Sequence, residues 1–323
     1  MTAAPNLILT PKAIVPKTLN LVYVHQPKKL WHSDIEAIAE KMKTIAPEIK
    51  IIGVMTDQSA DVISPADWSR PTLTFSFGRI RRFIPPRGPV YENRFVSKLD
   101  QFRAFRRLGI PTPHTAPYQH GMDLNPADWG PFVILKPSDP AKTSSGLYLQ
   151  VFRTAALSGR QLPHDHPSRR LPMLVQQWID TGDKLTVYRC LTLFGAVLYG
   201  SRTQRIEVRP PLDSPDDVIE AMPSESDRGQ NTRTHDRSLL EFALHMAEAF
   251  PRHPILGCDI LREDNTGRFY ALEVNAGGNV WHFSSPRTAR WRTFEQTHSL
   301  KTEFCSFEIA AEVLAKKTRL EAR

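Results

Sequence analysis

One β-hairpin constrains the fold of this chain more than any other feature of its sequence. Two strand-like runs, residues 255–261 and 268–275, flank a polar turn. A three-residue loop that ends in Gly267, with this glycine in the left-handed conformation, predicts that Asp264 pairs with Arg268. The chain is therefore expected to contain an antiparallel strand pair whose register is set by this turn.

Two carboxylates oppose each other in the predicted hairpin. Counting back from the turn places Asp259 opposite Glu273, and strand alternation places Asn275 on the same face. Opposed Cβ atoms lie about 5 Å apart, so like charges there destabilise the pair unless a cation lies between them. Two carboxylates and an amide oxygen are hard donors that suit Mg²⁺. The alternatives are that both carboxylates face solvent on an edge hairpin, or that a bulge shifts the register.

The first hundred residues alternate between strand-like and helix-like patterns. Residues 21–24 and 49–55 are apolar runs, and a capping box from Ser33 to Glu36 opens a helix between them. A β-α-β unit of this kind predicts a right-handed crossover and a parallel sheet. No Gly-x-Gly-x-x-Gly follows the first run, so the pattern does not predict dinucleotide binding.

The later elements predict mixed helices and antiparallel strands. A cap at Ser97 begins a helix that Gly109 ends, and a new unit starts near this helix. Further strands are predicted over 132–135, 147–152, 174–179, 185–194 and 196–201, and further helices over 236–250 and 304–320. Residues 210–236 are rich in Pro, Ser, Asp and Gly and predict a mobile loop with at most a short helix.

Composition excludes several classes of protein. The 323 residues are 41% hydrophobic and 24% charged, which is typical of a globular chain of about two domains. No apolar run is long enough to span a bilayer, and early prolines break any signal-peptide core, so we expect a cytoplasmic protein without membrane partners. The 3 cysteines are far apart, which argues against a disulfide framework or a zinc cage. A net charge of +8 is spread among acidic residues in small groups, which does not favour nucleic acid as a partner.

Other chemistries find less support in the sequence. Lys142-Thr143 lacks the glycines of a Walker A loop and joins two strands. His164-Asp165-His166 could bind a transition metal, but this polar loop offers no third ligand. His282 is a candidate acid, base or substrate contact, with a packing role as the alternative. No Gly-x-Ser-x-Gly supports a serine hydrolase.

Five segments, taken together, resemble the ATP-grasp superfamily in their order along the chain. They are Ser97-Lys98-Leu99 with Gly109-Ile110-Pro111-Thr112-Pro113, Leu135-Lys136-Pro137 with Ser144-Ser145-Gly146, Val175-Gln176-Gln177-Trp178-Ile179, Gly257-Cys258-Asp259-Ile260, and Glu273-Val274-Asn275. The resemblance spans most of residues 97–285. Two departures stand out: Gly277-Gly278 where many relatives similar to D-alanine ligase have Pro-Gly, and Gln177 where a Glu is common.

The resemblance implies a role for each matching residue. It implies that Lys98 and Lys136 bind the α- and β-phosphates of ATP, and that Arg202 binds the γ-phosphate or the charge that develops on it. The implied nucleotide contacts are Ser144, Ser145 and Gly146 over the triphosphate, Gln176, Gln177, Trp178 and Ile179 at the adenine, and Asp180 at the ribose. The implied metal ligands are Asp259, Glu273 and Asn275, and the ion is Mg²⁺, with Mn²⁺ as an alternative. The implied catalytic residues are Arg202 and Asn275.

The resemblance also implies an architecture and a reaction. It implies an α/β and α+β ATP-grasp fold with a Rossmann-like N-terminal domain over 1–95, a small lid subdomain over 96–180 and a C-terminal subdomain over 181–323. The implied reaction is ligation of a small-molecule carboxylate and an amine through an acyl phosphate, with ATP converted to ADP. A kinase that phosphorylates a small molecule and a non-catalytic nucleotide- or nucleic-acid-binding module are the alternatives. Relatives are often homodimers, and residues 1–95 carry no substrate signature.

Overall fold

The computed structural model describes residues 18–26, 32–138, 149–209, 211–213, 218–219, 229–277, 280–284 and 300–323. The strands in these ranges form three sheets, and helices cover their faces. The mixed α/β and α+β class that the sequence predicts is confirmed. Within the same ranges, no helix is both long enough and apolar enough to cross a membrane.

The N-terminal sheet is parallel in every strand pair. Its strands are β1 (Leu19–His25), β2 (Ile49–Met55), β3 (Thr72–Ser76) and β4 (Val90–Glu92), in the order β2-β1-β3-β4. Helix α1 (His32–Ile45) connects β1 to β2, and the short helix α2 (Pro65–Trp68) precedes β3. The predicted parallel β-α-β unit is therefore confirmed.

The middle sheet is antiparallel in every strand pair. Its strands are β5 (Thr115–Pro117), β6 (Phe132–Pro137), β7 (Gln150–Arg153), β8 (Met173–Gln177) and β11 (Val218–Ile219), in the order β11-β7-β6-β8-β5. The short helices α4 (Pro126–Trp129) and α5 (Thr154–Leu157) flank β6 and β7. Apolar side chains of β6, β7 and β8 pack together on one face of this sheet.

The C-terminal sheet is also antiparallel. Its strands are β9 (Thr186–Leu193), β10 (Ala196–Arg205), β12 (Gly229–Arg233), β13 (Ile255–Arg262) and β14 (Phe269–Ala276), in the order β12-β10-β9-β13-β14. Strands β11 and β12 both fall in segment 210–236, so the expectation of a loop there is wrong for the described residues. Their backbone pairs with the open edges of two sheets, which the composition of the segment does not reveal.

Helices cover both faces of the C-terminal sheet. They are α3 (Lys98–Arg107), α6 (Arg237–Glu248), α7 (Leu300–Glu303) and α8 (Ser306–Glu321). Helices α3 and α6 share one core with the sheet, while α8 and the N-terminal sheet share another on the opposite face. Caps at Ser97 and Asp236 begin α3 and α6, as predicted. The predicted helix over 304–320 is interrupted at Cys305, whose φ of 47° ends one helix before the next begins.

The turn between β13 and β14 differs from the prediction, although the carboxylates still oppose each other. The backbone N–H of Glu263 donates to the carbonyl of Arg268, so the loop is one residue longer than expected, while the N–H of Asp264 donates to Asp180 instead. A β-bulge between the Asp259 and Ile260 pairs then shifts the register by one residue. The two differences cancel, so the predicted pairing of Asp259 with the Glu on β14 is confirmed.

Candidate active site

The three predicted metal ligands lie together on β13 and β14. Asp259 pairs with Glu273 in the strand register. The side-chain nitrogen of Asn275 donates to Asp259 Oδ2 at 2.9 Å and lies 3.3 Å from Glu273 Oε1. Asp259 is only 4% exposed, so this is an interior cluster and not a solvated edge.

A cation that the sequence analysis missed lies against this cluster. Arg189 on β9 pairs with Asp259 in the register, and its Nε and Nη2 atoms donate to the two carboxylate oxygens at 2.6 and 2.7 Å. Because this carboxylate lies beside it, the pKa of Arg189 is raised above its usual value. Burial raises the pKa of Asp259, and the charge and hydrogen bonds of Arg189 oppose this rise. Strand alternation alone could show the face that Arg189 occupies, but its partner depends on β9 lying next to β13, which the sequence does not reveal.

The two predicted phosphate-binding lysines lie beside the same carboxylates. Lys98 Nζ is 3.5 Å from Glu273 Oε2, and Lys136 Nζ donates to Gln176 Oε1 at 2.6 Å. Burial lowers the pKa of Lys136 to about 7; the charge of Lys98 adds to this effect and Glu273 opposes it. Burial alone raises the pKa of Glu273, but the charges of both lysines and Arg189 outweigh it and lower this pKa. The cluster can therefore carry more positive than negative charge, which suits an anionic ligand.

Gln101 fixes helix α3 to strand β14. Its Nε2 atom donates to the carbonyls of Val96 and Val274, both at 3.0 Å, and its Oε1 accepts from the N–H of Val274 at 2.8 Å. Val274 lies between two of the candidate metal ligands, so these bonds fix the start of α3, and with it Lys98, relative to them. We assigned no role to Gln101 from the sequence; a buried amide on an otherwise apolar helix face was the available signal.

The two glutamines of the predicted adenine segment face opposite sides of the middle sheet. Gln176 lies on the same face as Lys136, is 2% exposed, and also donates to Thr115 Oγ1 at 2.8 Å. Gln177 pairs with Val133 in the register and accepts from the backbone N–H of His114. The side chain of Gln176, and not that of Gln177, therefore belongs to the cluster.

Residues 178–180, at the end of the predicted adenine segment, are held by contacts with neighbouring residues. The N–H of Trp178 donates to the carbonyl of Phe132, and Ile179 is buried. The carboxylate of Asp180 accepts from Arg209 Nη2 at 3.2 Å. Asp180 is thus already paired with a cation, which the sequence analysis did not anticipate.

Arg202 is not brought to the cluster. It pairs with Tyr188 in the register, whereas its neighbour Ser201 pairs with Arg189. Adjacent residues of a strand point to opposite faces, so Arg202 lies on the face of the C-terminal sheet away from Asp259. The register therefore places Arg189, and not Arg202, beside Asp259, and the implied role of Arg202 at the γ-phosphate stays a prediction.

Three residues of the predicted nucleotide site, Ser144, Ser145 and Gly146, lie outside the described residues.

The alternative metal site at His164-Asp165-His166 loses support. Both ring nitrogens of His166 already have hydrogen-bond partners at 2.6 Å, which are Ser168 Oγ and Gln150 Oε1. Where the structure describes the chain, no group of three or more His, Cys, Asp or Glu side chains could hold a metal. The candidate site on β13 and β14 is of a different kind, because its third donor is the amide of Asn275.

The donor set of the cluster fits a hard divalent cation. Carboxylate oxygens of Asp259 and Glu273 converge, and rotation of the Asn275 amide would add a third oxygen. A cavity of about 90 Å³ lies beside Glu273 and Asn275, with Lys98 and Gln101 in its wall. A cation here would also relieve the repulsion between two opposed carboxylates that Arg189 now offsets.

Comparisons with known proteins bear on the fold. No protein-family model matches the chain, and no curated protein matches it in sequence. The C-terminal domain of K. lactis Pby1, an ATP-grasp enzyme that interacts with the mRNA decapping enzyme Dcp2, matches with a TM-score of 0.50 at 10% identity, over 93% of this chain and 92% of that chain.

Two further solved structures match with lower TM-scores. The ATP-grasp ligase PsnB, complexed with minimal precursor, Mg and ADP, has a TM-score of 0.49 at 13% identity, over 91% of this chain and 97% of that chain. The D-alanine–D-alanine ligase from Bacillus anthracis has a TM-score of 0.43 at 11% identity, over 93% of this chain and 99% of that chain. The match to the Pby1 domain spans nearly the whole of both chains. This chain has the fold of the ATP-grasp superfamily.

Proposed function

We propose that this chain is an ATP- and Mg²⁺-dependent ligase that joins a carboxylate to an amine. The observation that carries the proposal is the single cluster in which Asp259, Glu273 and Asn275 meet Lys98 and Lys136. Hard oxygen donors next to buried cations suit a metal ion together with a polyphosphate. The Pby1 domain, whose fold this chain shares, is named an ATP-grasp enzyme, which supports the same proposal.

Asp259, Glu273 and Asn275 would hold Mg²⁺, or Mn²⁺ as an alternative. When bound, the ion supplies positive charge that offsets the charge of the phosphate oxygens during transfer. Arg189 favours the ionised form of Asp259 and binds both of its oxygens through a two-bond contact. Asn275 joins the two carboxylates and holds them at one spacing.

Lys98 and Lys136 would bind the phosphates of ATP. Gln176 fixes the ammonium group of Lys136 through a 2.6 Å bond, so this donor is oriented before the nucleotide arrives. The backbone of Trp178 and Ile179 would meet the adenine, and Asp180 would share its carboxylate between Arg209 and a ribose hydroxyl. Ser144, Ser145 and Gly146, which lie outside the described residues, would contact the triphosphate.

The proposed reaction has two steps. A carboxylate oxygen of the substrate attacks the γ-phosphorus, the bond to the bridging oxygen of ATP breaks, and ADP leaves. The nitrogen of an amine then attacks the acyl carbon, phosphate leaves with the former carboxylate oxygen, and the amine loses a proton. We further propose that the nucleotide lies between units 96–180 and 181–323, with residues 1–95 as the remaining unit. The substrates would be small molecules with a carboxylate and an amine.

Turnover of ATP with panels of acids and amines tests this proposal. We expect release of ADP and phosphate that needs both substrates, and a loss of at least about 100-fold in Lys136→Met, because the buried ammonium donor is removed. Lys43→Met, which changes a surface lysine whose side chain is 68% exposed, should retain activity. A stable phosphorylated product in place of free phosphate would indicate a kinase, and full activity of Lys136→Met would remove the assignment.

A further inference from the structure

The topology of the N-terminal sheet marks a switch point that the proposed nucleotide site does not use. In the order β2-β1-β3-β4, the chain leaves β1 toward one side of the sheet and β3 toward the other. In open parallel sheets, ligands bind outside the carboxyl ends of the strands at such a switch point. Here that position is formed by Gln26, which follows β1, and by residues 77–79, which follow β3.

Hydrogen bonds hold the backbone of the loop after β3 at this switch point. The N–H of Ile80 donates to Glu92 Oε2, and the N–H of Arg81 donates to Thr56 Oγ1. The carbonyl of Thr56 accepts from the N–H groups of Arg82 and Phe83. The carbonyl of Arg79 accepts from Gln26 Nε2 at 3.0 Å. The loop backbone is therefore held by three neighbouring segments, through Glu92, Thr56 and Gln26.

The rigid loop presents three arginines to solvent. Ile80 and Phe83 pack into the core on one face of β1 and β2. Arg79, Arg81 and Arg82 are exposed. Within the part of the chain that the structure describes, these three form no ion pair.

The other two arginines of the same region are occupied. Arg87 donates to the carbonyls of Trp68, Ser69 and Arg323, and Arg94 pairs with Glu92. The three exposed arginines thus extend from a held backbone without an acidic partner among the described residues, and this local positive charge favours an anion with several acidic groups.

This arginine loop lies near the cluster of metal ligands. Phe77, two residues before Arg79, contacts Trp281, with ring centroids 4.9 Å apart. The carbonyl of Phe77 lies 3.9 Å from the position that a Cβ atom would take on Gly277, two residues after Asn275. The carboxyl edge of the N-terminal sheet therefore borders the segment that leaves the candidate metal site.

We propose that Arg79, Arg81 and Arg82 form an anion subsite that binds a substrate with several carboxylates, such as an acidic peptide. The subsite would hold spare carboxylates of the molecule whose reacting carboxylate is activated at Asp259 and Glu273, so this part of the inference rests on the proposed function. A carboxylate-rich substrate is favoured over nucleic acid because the subsite borders the site proposed to phosphorylate a carboxylate.

Calorimetric titration of the full chain tests the subsite with triglutamate as the probe, in the absence of nucleotide. We expect the wild type to bind triglutamate and not trilysine. The triple variant Arg79→Gln/Arg81→Gln/Arg82→Gln should bind triglutamate with an affinity that is lower by about tenfold or more, because three exposed charge contacts are lost together. The matched control is Arg107→Gln/Arg170→Gln/Arg252→Gln, which removes the same charge from exposed arginines elsewhere and should bind like the wild type.

Mg-ATP is titrated separately into the same proteins and should bind all of them equally, because none of these arginines belongs to the nucleotide cluster. Equal triglutamate affinity in the wild type and the loop variant would overturn the subsite, and so would loop-dependent binding of a single-stranded oligonucleotide without binding of triglutamate. Failure of the wild type to bind Mg-ATP would instead count against the proposed function, whatever triglutamate does.

Discussion

At the scale of single residues, the ion pair of Arg189 and Asp259 holds the first candidate metal ligand in place. Arg189 donates to both oxygens of a carboxylate that is only 4% exposed. Loss of one partner would leave a charge in the interior without its partner, which is costly.

Removing the cation of this pair should destabilise the protein. In Arg189→Leu, the Asp259 carboxylate stays buried without its two charged hydrogen bonds, so we expect the free energy of unfolding to fall by about 3 kcal/mol. Urea denaturation measures this change. Arg237→Leu removes an exposed pair with Glu241 on α6 and should cost less than about 0.5 kcal/mol. Equal and small losses in both variants would contradict the role assigned to Arg189.

The buried Lys136 should make nucleotide binding depend on pH. Its pKa of about 7 leaves it mostly neutral at about pH 8, whereas phosphates beside it would favour the charged form. Binding of Mg-ATP at about pH 8 should therefore take up a proton, and affinity should fall as pH rises above 7. Titration calorimetry in buffers of different ionisation enthalpy measures the uptake, and Lys136→Gln should abolish it. The same heat in all buffers for the wild type would show that Lys136 does not meet the phosphates.

At the scale of elements, the hairpin of β13 and β14 shows how far strand arithmetic reaches. The existence of both strands and the opposition of Asp259 and Glu273 could be predicted from the sequence. The loop length and the β-bulge could not, because several turn types fit Asn265-Thr266-Gly267 and bulges leave no clear sequence signal. The correct pairing arose because these two differences compensate.

The packing of the C-terminal sheet predicts how its thiols react. Cys190 and Cys258 are opposite each other on β9 and β13 and are fully buried, and burial raises the pKa of Cys190 to about 12 and that of Cys258 well above its usual value. Cys305 is exposed at the break between α7 and α8. Labelling with a thiol reagent should therefore modify Cys305 first, and the other two only when the sheet unfolds.

Mass spectrometry of partly labelled protein assigns each site, and Cys305→Ser is the control that should remove the fast phase. Rapid native-state labelling of either strand cysteine would contradict the packing of α6 against this sheet.

At the scale of the whole molecule, the order of the motifs along the chain is a stronger predictor of the candidate site than any single motif. Each lysine or carboxylate alone is weak support, whereas Lys98, Lys136, Asp259 and Glu273 come from α3, β6, β13 and β14 and meet in one cluster. The parallel N-terminal unit was also predictable from its β-α-β pattern. The edge strands β11 and β12 were not, because strands at sheet edges need only backbone partners.

The most direct test of the proposed Mg-ATP site is the thermal stability of wild type, Glu273→Gln and Glu241→Gln with ATP, each with Mg²⁺ and with a chelator. Glu241 lies exposed on α6, where it pairs with Arg237, and serves as the matched control. At saturating nucleotide, we predict that ATP with Mg²⁺ raises the melting temperature of the wild type and of Glu241→Gln by about 5 °C or more. No such rise is expected without Mg²⁺ or in Glu273→Gln. A wild type that no nucleotide stabilises, or a Glu273→Gln variant stabilised as strongly as the wild type, would contradict it.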